Sequence, residues 1–561
     1  MHRPPRSSRD THGQRAKPVG VSSALLAATL YALKLKLFDF LHAGVFVLLA
    51  LVWAVFCYSL PALDLDLAEQ VWEGSAVSCS GLTQPPLYGW MTSAIIHIAG
   101  MNRAALTAAK FVLLAVFYVA FYLLARRYWA PRKSLLATIT LLLLRLYGLT
   151  TPEHLTHSLL VSLLAVLCFH VIVGILREPG RTGLYLTLGV LSGLGMLAKY
   201  SFVLVALALL CAGVSSRSTR GVFWNPRLLM TIAVALAICL PMISKAIAQH
   251  SGSTKFGLDA LSISLSSPED AQSRIHGILA KQTYVNLIEP AAFIVLMVIL
   301  FHRDHQRLQD SLHRTAAWFF ARTLAWAAAF IAVLLVSPLT PMVNPWWLAP
   351  VLFLAPLTLF FFIRVEEGTW SFGAKLMVAL VLLLLGSRMV TIRYSALTGM
   401  ADYRQIPFPA IASQLRTLLE SSPSTSGSRI VVIGDDLYLL AHLRLLLPEV
   451  QVVPSPLAYT LHQQRRLRRN QPASVRDAAL QSATPKGRTR LDAALGQIST
   501  DGPGGETVVY VWQTGKASEG TFTRYMAKLG AETTCGQFRA PYSHSTTLVY
   551  EVNYLVMQSP P

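Results

Sequence analysis

Charge is scarce in this chain. Only 14% of its 561 residues are Asp, Glu, Lys or Arg, against roughly 25% in an ordinary soluble domain, and disordered chains carry more charge on less apolar bulk. Acid is the scarcer sign: 28 Asp and Glu face 48 Lys and Arg, a net charge of +20. Cysteine is sparse as well, and Cys57, Cys168, Cys211 and Cys239 fall in apolar runs where they read as buried thiols. Cys79 and Cys535 lie outside such runs. A glycine-rich dinucleotide fingerprint is missing, because no G-x-G-x-x-G follows the strand-like run that ends in Gly434-Asp435-Asp436. The first apolar run starts too far into the chain, and lacks the small-residue cleavage site, for a removable signal peptide. What is abundant is apolar surface. At 53% hydrophobic residues and a mean hydropathy of +0.49, the chain reads as a polytopic membrane protein.

The apolar runs lie at 41–60, 104–125, 134–150, 155–176, 183–198, 201–214, 228–247, 287–302, 315–338, 346–363 and 376–392. Several fall short of the ~20 residues that cross a bilayer unaided, which gives about 11–13 spans as the expectation. The loops between them alternate in sign. Arg3, Arg6, Arg9, Arg15, Lys17, Lys34 and Lys36 precede the first run; Asp64, Asp66, Glu69 and Glu73 follow it; Arg126, Arg127, Arg132 and Lys133 come next. Such positive-inside alternation sets the N-terminus and the basic loops in the cytoplasm. Residues up to 401 hold 32 basic and 16 acidic side chains, and residues 402–561 hold 16 and 12. Most of the positive charge therefore reports orientation, with contact to anionic lipid headgroups as its by-product. Nucleic acid is not needed to explain it.

Beyond residue 401 the long runs stop. Arg429–Gly434, Val450–Val453, Thr507–Trp512 and Thr546–Val552 read as strands, and Leu437–Leu447 and Thr521–Leu529 as helices. The expected organisation is a basic cytoplasmic arm (1–40), a transmembrane body (41–400) and a C-terminal α/β domain (401–561) on the far side of the membrane. The run Arg465, Arg466, Arg468, Arg469 reads as a solvated face or a contact to phosphorylated headgroups.

The first outer loop, 61–103, is where acid collects. Asp66, Glu69 and Glu73 recur at three- and four-residue spacing, so a helix there carries them on one face. From spacing alone, an amphipathic helix lying on the membrane with its acids in water accounts for them.

Asp66-Leu67-Ala68-Glu69-Gln70, followed by Gln84-Pro85-Pro86-Leu87-Tyr88-Gly89-Trp90, resembles the first outer loop of the GT-C membrane glycosyltransferases. That superfamily branch includes protein O-mannosyltransferases and the lipid A aminoarabinose transferase. Thr151-Pro152-Glu153, the segment Gly193–Tyr200, Lys281-Gln282 and the segment Pro345–Pro350 follow in the family's order, so the resemblance spans roughly residues 40–400. It departs at Leu67, where an acid is usual, and at Thr83-Gln84 before the prolines. The combination of Ala68-Glu69-Gln70 with Gln84-Pro85-Pro86-Leu87-Tyr88 is more similar to the branch that decorates lipopolysaccharide core or lipid A, with galacturonosyltransferases near it.

The resemblance implies transfer of a sugar from a polyprenyl phosphate to an acceptor hydroxyl of lipid A or core, at the outer face of a bacterial inner membrane, with inversion. Asp66 matches the family's catalytic aspartate and is implied as the base; Asp64 and Glu69 are the reserves. Gln84, Glu153 and His154, with His157 one turn further along, are candidates to position acceptor or sugar. Lys199, Arg103 and Arg145 are candidates for the donor phosphate, each weighed against an ordinary role: snorkelling for Lys199, capping a span for Arg103. The resemblance singles out no cofactor. A divalent metal is an option through His250, although a histidine without a nearby partner in sequence is usually an ordinary loop residue. A protein O-mannosyltransferase-like enzyme and a lipid-linked-sugar flippase are the alternatives. Against the flippase, no paired, Gly/Pro-broken segments suggest inverted repeats.

Overall fold

A computed structural model describes residues 21–74, 85–150, 156–250, 284, 288–301, 311–336, 347–365, 371–398, 402–421, 430–434, 436–454, 507–513, 532–542 and 549–558. The chain folds as a helical body that carries a C-terminal α/β unit. Six helices among the described residues are long and apolar enough to cross a membrane, at Leu37–Tyr58, Arg103–Arg126, Thr156–Arg177, Arg227–Ser244, His313–Leu334 and Phe372–Leu397. Shorter apolar helices run at Thr182–Ala198, Phe202–Ser215, Glu289–Phe301 and Ala349–Phe360. The chain is a multi-pass membrane protein.

The body begins with α1 (Val21–Tyr58), then α2 (Leu65–Glu73), α3 (Leu87–Ala99) and α4 (Arg103–Arg126). Asn102 starts α4 by accepting the Ala105 N–H on its side-chain oxygen at 2.8 Å. Arg126 closes the other end of α4 against Asp39 of α1, at 2.5 Å, and Tyr122 donates to the same carboxylate at 2.7 Å. The apolar run 134–150, expected as one span, is instead broken. It contains α5 (Pro131–Ile139), a 3-10 turn (Thr140–Leu143) and a π turn (Leu146–Thr150). Tyr147, inside that irregular stretch, is buried; its hydroxyl donates to the Ala349 carbonyl, and its own carbonyl accepts from the Tyr118 hydroxyl at 2.8 Å, which satisfies one of the polar groups such a break sets loose.

Next come α6 (Thr156–Arg177), α7 (Thr182–Ala198), α8 (Phe202–Ser215), α9 (Arg217–Phe223) and α10 (Arg227–His250). The glycines of α7 have a packing reason. A Cβ at Gly189 would meet the Thr231 carbonyl oxygen at 2.8 Å, and one at Gly193 would meet Ile238 at 2.9 Å. Two glycines four residues apart thus let α7 and α10 approach closely, as small residues do between membrane helices. The body is completed by α11 (Glu289–Phe301), α12 (Ser311–Val336), α13 (Ala349–Leu352), α14 (Leu354–Phe360) and α15 (Phe372–Tyr394). Aromatic rings such as Phe169, Phe320, Phe353 and Phe361 fill its centre.

The C-terminal unit contains α16 (Phe408–Ser421), β1 (Ile430–Gly434), α17 (Leu437–Leu446), β2 (Gln451–Pro454), β3 (Thr507–Gln513), β4 (Glu532–Pro541) and β5 (Val549–Gln558). The strand order is β2-β1-β3-β5-β4. The first three strands are parallel, and β5 runs antiparallel to both β3 and β4. Asp436 caps α17 by accepting the Tyr438 N–H at 3.0 Å. Sequence reasoning did not find β4: its Gly536 and Pro541 weaken the strand pattern, and only pairing with β5 reveals it.

A second hydrophobic core, separate from that of the body, fills the α/β unit. It draws in Ala62, Leu63, Leu67, Ala68, Val71 and Trp72, which lie more than 330 residues upstream of the α/β unit's own first core residue, Ile406. The apolar face of α2 therefore packs on protein. The membrane-lying helix anticipated from the sequence is not what forms.

Candidate active site

Nine residues make α2, and Asp64 starts it. The Asp64 Oδ1 accepts the Leu67 N–H at 3.0 Å, and Oδ2 meets the Lys110 ammonium at 2.8 Å. Both side chains are buried. Burial pushes the Asp64 carboxyl above its ordinary range, opposed by Lys110 and by the Leu67 N–H. Lys110 in turn is an ammonium in the middle of a spanning helix, tolerable there because it is paired. The two oxygens of Asp64 are thus committed to anchoring α2 on α4.

At 100° per residue, Leu67, Ala68, Val71 and Trp72 share one side of α2, and Asp66, Gln70 and Glu73 share the other. The polar side meets the start of α6 through two consecutive residues, and the next one meets Lys199. The Thr156 N–H donates to the Asp66 Oδ2 at 3.3 Å. The His157 Nε2 lies 3.6 Å from the Glu73 carboxylate and 3.4 Å from the Gln70 amide nitrogen, and its Nδ1 is 3.3 Å from the Ala198 carbonyl. Ser158 accepts from the Lys199 ammonium at 2.5 Å. Gln70 is held from both ends: its Nε2 donates to Glu73 at 2.8 Å, and its Oε1 accepts from Thr92 of α3 at 3.3 Å. The Tyr88 ring lies 5.2 Å from the His157 ring.

Asp66 and Lys199, 133 positions apart in sequence, therefore both bond to the first turn of one helix, at Thr156 and Ser158. Lys199 arrives through the corner between α7 and α8. Its backbone is extended (φ −163°, ψ 138°), and its N–H still bonds to the Gly195 carbonyl at 3.1 Å. A Cβ on Gly195 would strike the Phe202 ring at 2.5 Å. The glycine-rich stretch thus has two tasks, packing α7 on α10 and letting the chain fold back so that Lys199 faces α6. Lys199 is buried, so its ammonium reaches Ser158 and does not snorkel to water.

The remaining candidates lie elsewhere. Glu69 is buried on α2. Arg103 donates to the Cys57, Leu60 and Pro61 carbonyls at the end of α1, with its guanidinium 5.4 Å from the Tyr58 ring; it caps that helix. Arg145 is exposed in the break after α5 and interacts with Glu289 at the start of α11. Gln84, Glu153 and His154, Lys281-Gln282, the arginines at 465–469, Cys79 and the side chain of His250 fall outside the described residues. Among the described residues no three His, Cys, Asp or Glu side chains come together to hold a metal; Glu73 and His157 make a pair only.

Sequence reasoning passed over Lys110, Gln70 and Ser158, and noted His157 only as a neighbour of His154. Lys110 did carry a signal, as a lysine inside an apolar run whose cost demands a partner. Gln70, His157 and Ser158 are unremarkable until α2 and α6 are brought together.

Comparison with known proteins agrees with the motifs. Residues 83–244 match the family model described as dolichyl-phosphate-mannose-protein mannosyltransferase, so the resemblance to the GT-C glycosyltransferases holds over this part of the body. The lipopolysaccharide core galacturonosyltransferase RgtA of Rhizobium johnstonii is 26% identical over 407 residues, covering 70% of this chain and 77% of that protein. RgtB, of the same name and organism, is 27% identical over 380 residues, covering 66% and 75%. Among solved structures, ArnT from Cupriavidus metallidurans in the apo state aligns over 95% of this chain and 100% of that chain, with 13% identity and a TM-score of 0.43. At that score the likeness carries no argument about this chain's chemistry.

Proposed function

We propose that this protein is an inverting membrane glycosyltransferase that moves a sugar, a uronic acid in the reading preferred here, from a polyprenyl phosphate to a hydroxyl of lipopolysaccharide core or lipid A. The coarse part, a glycosyltransferase, is supported by the matched family and by relatives named as galacturonosyltransferases. The observation that carries the rest is that Asp66 and Lys199 both bond within the first turn of α6, at Thr156 and Ser158.

The chemistry asks for little more. A phosphate-linked lipid is already a good leaving group, so no strong acid is needed on that side. The acceptor hydroxyl must lose its proton as its oxygen attacks the anomeric carbon, and Asp66 serves as the base that takes it. A positioned base of this kind contributes about 10²–10⁴-fold. As the C–O bond to phosphate breaks, negative charge grows on the leaving phosphate. Lys199, in a site screened from water, opposes that charge, and so do the N–H groups at the start of α6. Gln70, His157 and Glu73 fix α2 against α6 so that base and cation keep their separation. In this reading Asp64 and Arg103 are structural. The acidic loop faces the outside of the inner membrane, and residues 402–561 lie on the same side.

One observation favours a second reading: the matched family model is named for mannosyl transfer to protein. The two separate in one experiment. Membranes containing the protein are given radiolabelled galacturonic acid or mannose on undecaprenyl phosphate, with rough lipopolysaccharide or envelope protein as acceptor. Label in lipopolysaccharide from the uronate donor is the expected result. Label in protein from the mannose donor would replace this reading with the second, and label crossing the bilayer without transfer would identify a flippase.

A further inference from the structure

The α/β unit does not merely hang from the last spanning helix: it grips α2. The segment entering α2 is bonded to it at consecutive residues. The Ala62 N–H donates to the Arg404 carbonyl at 3.1 Å, and the Leu63 N–H donates to the His442 Nε2 at 2.8 Å. The Leu63 carbonyl accepts from the Tyr438 hydroxyl at 2.6 Å. The far end of α2 is bonded as well. The Trp72 indole N–H donates to the Leu437 carbonyl at 3.1 Å, and the Arg444 guanidinium lies 4.9 Å from the indole ring. Four of these partners, Leu437, Tyr438, His442 and Arg444, belong to α17 alone. Between the two bonded ends, Leu67, Ala68 and Val71 are buried in the core of the α/β unit.

Helix α2 has nine residues, and isolated helices that short are not stable in water. Its position and its helicity therefore come from its neighbours, and the neighbour on its apolar side is α17. We propose that α17 is a positioning element for the sugar-transfer reaction, and that Trp72 is the side chain through which it sets where Asp66 stands. The proposal rests on the reading of Asp66 as the base. Asp66 and Trp72 are six residues apart on opposite sides of one rigid helix, so a shift at the indole moves the carboxylate without any change in the groups that hold the donor. Trp72 itself is turned toward α17, away from the α6 start. Displacing a reacting group by about 1 Å can cost on the order of 10²-fold in rate, so a partial loosening reads out as about a tenfold loss.

The test uses the full chain in nanodiscs, with galacturonic acid on undecaprenyl phosphate as donor and rough lipopolysaccharide as acceptor. Trp72→Phe keeps an aromatic ring, smaller than the indole, and deletes the N–H that reaches Leu437. Tyr438→Phe deletes the bond to the Leu63 carbonyl and a longer one, 3.5 Å, to the Tyr403 carbonyl. The expected result for each is a kcat lower by about tenfold per folded molecule, with donor KM within twofold, and a larger loss in the double variant. A role in stability alone would lower the melting temperature and leave kcat per folded molecule unchanged, which would overturn the proposal. A raised donor KM at unchanged kcat would overturn it equally. Asp66→Asn is measured in parallel to separate the two ideas. If Asp66→Asn retains wild-type turnover, the base assignment fails. If it abolishes turnover while Trp72→Phe and Tyr438→Phe keep theirs, the positioning role alone is wrong.

Discussion

The two hydrophobic cores of this protein are built from different stretches of sequence, except that the acidic loop, with Leu106 of α4 beside it, joins the core of the α/β unit. The body's core comes from spanning helices and their aromatic rings. The α/β core comes from the sheet, α16 and α17, and from one apolar strip of α2. By sequence α2 belongs to the body, yet it shares its buried surface with a unit that begins hundreds of residues later. The two cores also treat charge differently. The body's side of α2 is held by groups that can bear charge, Asp64 with Lys110 and Glu73 with His157. The α/β side is held by neutral hydrogen bonds and apolar contact, apart from Arg444 over Trp72. A helix with one polar and one greasy socket is fixed in rotation about its axis, which neither socket achieves alone.

The sharpest way to break this comparison is at the carboxylates, since only one of the two aspartates is read as chemical. Asp66→Asn is expected to lower kcat by about 10²–10⁴-fold with an unchanged melting temperature. Lys110→Met should do the reverse. It leaves the buried Asp64 without its counter-charge, a loss of about 3–5 kcal/mol in stability, measured as thermal unfolding in detergent. The double variant Lys110→Met with Asp64→Leu should recover much of that loss, because replacing both members of a buried pair by apolar groups is often neutral. If Lys110→Met unfolds no more easily than wild type, the pair is not what anchors α2.

How much of this could be read from residues alone differs between the two sockets. The acidic periodicity at Asp66, Glu69 and Glu73 correctly implied a helix with a polar face. The resemblance around Gln84–Trp90 and Gly193–Tyr200 singled out Lys199. The greasy face was misjudged. Leu67, Ala68, Val71 and Trp72 look the same whether they meet lipid or protein, because hydrophobicity is not directional. Only the fold supplies α17 as the partner. The break at 140–150 was invisible for a related reason: Thr140-Leu141-Leu142-Leu143 is as apolar as any span, and the partners of the irregular stretch, the Tyr118 hydroxyl on the Tyr147 carbonyl and the Ala349 carbonyl on the Tyr147 hydroxyl, lie on other helices.

The greasy socket can be sharpened with protons. His442 is buried, accepts the Leu63 N–H on Nε2 and is 2.7 Å from the Tyr438 carbonyl through Nδ1, so it is neutral when the joint is closed. Burial, with some repulsion from Arg103, pulls it down to about 3, from roughly 6.5 in an unfolded chain. Because the folded value is the lower, the unfolded state binds the extra proton. The stability contribution is whole above pH 6.5 and is lost as pH falls toward 3, amounting to about 2 kcal/mol by pH 5. Melting temperature should therefore drop between pH 7 and pH 5, and the drop should shrink in His442→Gln, whose side chain does not titrate. An equal drop in the variant would mean that other groups govern the acid response.

The smallest effect is expected on the outer side of the α/β unit, and it bounds what that unit contributes. Arg416 and Glu449 form an ion pair at 2.9 Å with about half of each side chain in water. Exposed pairs of this kind are worth about 0–1 kcal/mol. Glu449 is displaced from its usual range toward lower values, first by a backbone hydrogen bond and then by Arg416, but solvent screens most of that interaction. Glu449→Gln should leave the melting temperature nearly unchanged and sugar transfer within twofold of wild type. Arg416 also bonds to the Leu446 carbonyl at the end of α17, so this pair touches the same helix that grips Trp72, from its outer side. Wild-type transfer in Glu449→Gln beside a tenfold loss in Trp72→Phe would confine the influence of α17 to the face that meets α2. An equal loss in both would mean that any disturbance of the α/β unit slows the reaction, and the socket would lose its specific role.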